Sequence, residues 1–115
     1  MLDASSLSPA ARAAIRDVDN EIFVSAASAW EISIKYGQGK LSHATALMVD
    51  LSRAVADEGF SALAVTFKNG EVAGSLPPHH KDPFDRMLIA QALAGPLTIV
   101  SNERVFDRYG VARLW

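Results

Sequence analysis

Glu31, Asp82, Asp85 and Glu103 are carboxylates standing where helical patterns begin. Glu31 lies early in a helix that follows the apolar run 22–25, Asp82 and Asp85 open a later helix, and Glu103 follows Ser101-Asn102 at the end of another apolar run. In open parallel sheets functional groups collect beyond the carboxyl ends of the strands, at the starts of the following helices. All four acids are therefore expected to face one cleft. Carboxylates gathered without compensating cations repel, so such a cluster shows raised pKa values or holds a hard cation, for which Mg2+ (or Mn2+) is the natural occupant. A cation held this way can activate water and neutralise charge at a phosphodiester under in-line attack, which points to nuclease chemistry.

Each acid also has an ordinary explanation. Asp82 is a good N-cap, Pro83 suits the first helical position and Asp85 falls at the third, where capping and the helix dipole are worth roughly 1 kcal/mol each. Glu31 precedes Lys35 by four residues, the favourable order for a surface pair. Glu103 suits a helix N-terminus, and Asp3, Asp17, Asp19, Asp50, Asp57, Glu58 and Asp107 read as surface or turn residues. Adjacent histidines in an extended loop point apart, so His79 and His80 read as a substrate-facing or exposed loop that Pro77 and Pro78 keep extended, rather than as ligands. Lys35, Lys40, Lys81, Arg86 and Arg104 lie near the acids in sequence and are candidates to steer RNA phosphates, or are plain surface charge. Trp30 and Ile34, one turn apart, are expected to form the buried stripe of their helix, and Trp115 to close an edge of the core.

Positioning these side chains requires alternating helices and strands. Ser8-Pro9 caps an alanine-rich helix that exits over 17–20. The run 21–25 reads as a strand covered on both faces, 26–36 as a helix ending at Gly37 and Gly39, and 44–58 as a helix carrying Leu47, Met48, Leu51 and Val55 and stopping at Gly59. A strand over 60–67, a short helix over 68–76, a loop over 77–80 and a helix over 83–94 follow. A strand over 97–101, a helix over 103–109 and a strand over 111–114 complete the pattern. The alternation predicts an α/β fold with a mainly parallel sheet covered by helices on both sides.

The chain of 115 residues, half of them hydrophobic, has the size of one domain, and residues 1–115 are expected to form it. With no cysteine there is neither a disulfide framework nor a thiolate metal site, so any metal uses oxygen or imidazole. No apolar run approaches the roughly 20 residues that cross a bilayer, and no signal segment is evident, so a soluble cytoplasmic protein without membrane partners is expected. A net charge of −2 and a pI near 5.8 offer nucleic acid no global attraction, leaving local basic clusters to provide it.

Four segments together resemble PIN-domain proteins, specifically VapC-type toxins of toxin-antitoxin pairs: Leu7-Ser8-Pro9-Ala10-Ala11-Arg12; Val24 through Trp30-Glu31-Ile32; Leu76 through Leu93; and Val100 through Phe106 with Tyr109-Gly110-Val111. The resemblance implies a three-layer α/β/α fold with a mainly parallel central sheet, divalent-metal-dependent endoribonuclease activity, a homodimer, and inhibition by a small antitoxin. Glu31 matches the acid of the tryptophan-glutamate helix, and Asp85 the acid before the Ile-Ala helix. Glu103 replaces a usual aspartate, which changes its reach, and Asp82 is an auxiliary or structural acid. The implied metal set is Glu31, Asp85 and Glu103.

The family's first strand ends in a metal-binding aspartate and is followed by a helix, whereas six residues precede Leu7 here. A missing N-terminal strand is expected, in preference to Asp3 standing in for the lost ligand, because the four residues between Asp3 and Ser8 cannot contain a helix. Two alternatives stand beside the ribonuclease: a catalytically impaired module that binds an antitoxin or self-associates, and an unrelated α/β domain whose acids only cap helices.

Overall fold

Side-chain caps start the helices. The computed structural model describes residues 7–39 and 50–115, which divide into one unit of Val18–Ala64 and another of residues 7–17 with Val65–Trp115. Helix α1 (Pro9–Arg16) opens the second unit's sequence, with the Ser8 hydroxyl accepting from the Ala11 N–H at 3.1 Å as the Ser-Pro pair predicts.

In the first unit, β1 (Phe23–Ser25) runs directly into α2 (Ala26–Gly37), and Ser25 serves both, its Oγ accepting from the Ala27 N–H. A three-residue strand shorter than the run 21–25 leaves Phe23 38% exposed, so the expectation of cover on both faces is corrected. The buried stripe on α2 is also corrected. Ala27 and Ile32 are buried, whereas Trp30 is 65% and Ile34 38% exposed. Residues two apart lie about 200° around a helix, so burying Ile32 turns both of those neighbours outward.

Helix α3 (Leu51–Asp57) begins at a cap that the periodicity did not disclose: the Asp50 carboxylate accepts from the Arg53 N–H at 3.0 Å. Leu47 and Met48 of the expected longer helix lie outside the described residues. Gly59, with φ of 76°, turns the chain into β2 (Ser61–Leu63), as its place after the helix predicts. β2 pairs in parallel with β1, placing Phe23, Val24 and Ser25 beside Ser61, Ala62 and Leu63.

In the second unit, α4 (Phe67–Ser75) starts in a capping box, Thr66 and Asn69 each accepting from the other's backbone N–H. That box ends the extended segment before Phe67, which the sequence places in a strand. Helix α5 (Pro83–Ala94) has the bounds its cap and proline predict, and it packs against α4. β3 (Ile99–Val100) and β4 (Arg113–Leu114) form a second parallel pair, joined by a 3-10 helix over Arg104–Tyr109 that closes at Gly110, φ 74°. Ile89, Phe106 and Tyr109 form the core, with Leu76, Ile99 and Val111 packed on it. Trp115 is half-buried.

Candidate metal centre

Asp82 and Pro83 set the entry of α5. One oxygen of Asp82, Oδ1, accepts from the Phe84 N–H at 2.9 Å and the Asp85 N–H at 3.0 Å. Its carboxylate is thus engaged as a cap, and its structural explanation is realised. Capping also settles the direction of Asp85, which sits on the first turn of α5 with its side chain 18% exposed.

The loop before α5 is tied down by two side chains. Arg86 reaches back to four carbonyl groups: Nε donates to Ala73, Nη1 to both Pro77 and His80, and Nη2 to Leu76, over 2.7–3.1 Å. Tyr109 donates its hydroxyl proton to the Pro77 carbonyl at 2.7 Å and accepts from the His80 N–H at 2.9 Å. The same loop therefore leans on α5 from one side and on the core from the other.

Held this way, His80 places Nε2 2.7 Å from Asp85 Oδ2. Among the described residues, His80, Asp85 and Glu103 form a group whose donor atoms all lie within 4.8 Å of one another. Glu103 comes from the end of β3, where its backbone N–H donates to the Ser101 hydroxyl and its side chain makes no capping bond. Burial pushes the Asp85 carboxyl above its ordinary value, and the negative charges of Asp82 and Glu103 push the same way against the hydrogen bond from His80. Burial is the larger cause, and repulsion from the neighbouring carboxylates adds to it.

Glu31, on α2 in the first unit, pairs with Lys35 at 3.3 Å. Pairs of that exposure are worth about 0.3–0.5 kcal/mol, too little to commit the carboxylate. Lys81 is exposed, and Arg104 is exposed at the start of the 3-10 helix. Arg86 is not a surface charge: four of its hydrogen bonds go to the backbone, so its expected role in steering phosphates gives way to holding the loop. Lys40 and Asp3 lie outside the described residues.

Tyr109 is given no role by the sequence, and His80, read there as a substrate-facing or exposed loop residue, is instead largely covered and bonded to Asp85. Neighbouring histidines do point apart here, but the divergence sends one ring edge-on to Tyr109, at 5.3 Å from His79, and the other onto Asp85. The available signal was the spacing of His80 five residues before Asp85 across a proline-led helix start.

Ligand bonds to hard divalent cations run roughly 2.0–2.6 Å, so two atoms on a common ion lie no more than about 4–5 Å apart. The Asp85–Glu103 arrangement meets that limit without backbone movement, and its carboxylate oxygens suit such an ion. No curated protein and no solved structure matches the chain. A model of the PIN domain matches residues 1–112, across both units. PIN domains have an α/β fold and are generally metal-dependent nucleases, a class whose chemistry the carboxylates at the head of α5 can serve. On that match, the chain belongs to the PIN-domain family.

Proposed function

We propose that the protein is a divalent-metal-dependent endoribonuclease of the VapC type, the toxin of a toxin-antitoxin pair, hydrolysing RNA phosphodiesters with Mg2+ or Mn2+. The observation that carries this reading is the convergence of Asp85 and Glu103 beside His80, with the Asp85 charge already held back by burial. When bound, the cation supplies charge neutralisation at the phosphodiester and activation of the attacking water. Asp85 and Glu103 hold it. Asp82 orients Asp85 through the N–H groups it caps. Glu31 supplies a further carboxylate by its match to the family's tryptophan-glutamate helix, and Lys35 and Lys81 attract RNA phosphates. The three-layer α/β/α arrangement, a homodimer, a cognate antitoxin and a cytoplasmic location belong to the same reading.

The test incubates purified protein with structured RNA and Mg2+, alongside Asp85→Asn and Glu31→Gln. Wild type cleaves, EDTA stops it, and each variant falls at least about 100-fold, the scale of a lost metal-centred contribution. Equal cleavage by all three proteins, or cleavage indifferent to EDTA, contradicts the proposal. Absence of cleavage by wild type with antitoxin binding intact replaces the enzyme by a non-catalytic PIN module.

A further inference from the structure

His80 is held far more closely than an exposed loop residue needs. Its N–H donates to Tyr109, its carbonyl accepts from Arg86, and its ring lies edge-on to buried Phe106 at 6.4 Å and 72°. Only 23% of its side chain is exposed, whereas His79 beside it is exposed. The main chain and ring are thus both constrained, and the constraint delivers Nε2 to Asp85 Oδ2.

A carboxylate on a first helical turn rotates broadly about its terminal torsion, because that sp³–sp² bond has no sharp staggered wells. Presenting one oxygen outward requires something to hold the other. Nε2 does so when it carries the ring proton, as the 2.7 Å contact with Asp85 Oδ2 requires of one of the two atoms. Carboxylates that ligate metals are commonly held by such outer hydrogen bonds, and losing one typically costs about 10–100-fold in affinity.

We propose that His80 is a positioning residue of the metal centre: its Nε2–H holds Asp85 Oδ2 so that Oδ1 is presented to the divalent cation, and Arg86 with Tyr109 keep His80 in that posture. The inference rests on the metal-dependent reading given above. Arg86 and Tyr109 act on the cation only through His80. The imidazole is a donor of hydrogen to the carboxylate rather than a ligand of the ion.

The test is titration of the 115-residue protein with Mn2+ alone, following the free ion by electron paramagnetic resonance, with circular dichroism and thermal unfolding reporting the fold. Wild type binds, and His80→Ala weakens binding about 10–100-fold with its fold retained. His80→Gln, whose amide can donate to the same oxygen, recovers most of that loss. Tyr109→Phe removes a single hydroxyl and weakens binding in the same direction, so the inference remains testable even where the alanine variant does not fold. Unchanged affinity in His80→Ala or in Tyr109→Phe overturns the positioning role. A nitrogen coupling to bound Mn2+ in wild type, lost equally in His80→Ala and His80→Gln, overturns it in favour of direct ligation. No Mn2+ binding by wild type at millimolar concentration instead removes the metal centre itself, and the positioning role with it.

Discussion

Asp85 carries a charge that its surroundings resist. Burial is the largest cause, the Asp82 and Glu103 carboxylates add to it, and the His80 hydrogen bond works in the opposite direction. With its pKa above the ordinary 3.8, the folded protein binds this proton more tightly than the unfolded chain does. Stability from this group is therefore complete below the ordinary value and is lost as pH rises through the raised one. At neutral pH the metal-free protein keeps the ionised carboxylate at a cost, so Asp85→Asn is expected to raise the thermal midpoint of the metal-free form. A midpoint lowered by that substitution would show that the His80 bond outweighs burial. Glu103→Gln removes one repelling charge and should move the Asp85 titration downward, as read by carboxyl-carbon nuclear magnetic resonance. At this scale the acids were legible because carboxylates at helix starts are written in sequence, whereas His80 was not, because its partner is chosen by a folded loop.

The start of α5 combines a cap and a clamp, and they are separable by substitution. Asp82→Ala loses the two N–H bonds and is expected to cost about 1 kcal/mol, while Asp82→Asn, an equally good cap, retains nearly all the stability. Chemical denaturation of the two variants distinguishes capping from charge. Arg86→Lys is expected to cost about 1–3 kcal/mol, because an ammonium cannot reproduce a planar fork serving four carbonyls and leaves part-buried acceptors unpaired. A stability equal to wild type would show that the loop keeps its shape without the fork. The bounds of α5 were legible because Asp, Pro and a following Gly are local signals. The clamp was not legible, since its acceptors are backbone atoms of residues 73–80, which any sequence would supply. The Trp30–Ile34 row fails for a related reason: spacing identifies a face, but the packing of Ile32 decides which face is covered.

Across the whole molecule, alternating helices and apolar runs predict one mainly parallel sheet; among the described residues the strands form two separate two-stranded pairs, both parallel. Which residues pair is set by loop closure over long separations, as with Val24 and Ala62, and periodicity carries no record of it. The PIN match spans both units, so the family identity belongs to the chain rather than to either unit alone. Glu31 is assigned to the proposed site by its match to the family's pattern alone, whereas Asp85 and Glu103 also lie close to one another. The most direct test of the metal centre is a crystal of the protein grown with Mn2+ and measured at a wavelength where manganese scatters anomalously. A peak within bonding distance, about 2.0–2.6 Å, of carboxylate oxygens from Asp85 and Glu103 is the expected result. Full manganese loading with the peak elsewhere, and both carboxylates bonded only to protein or water, would contradict it.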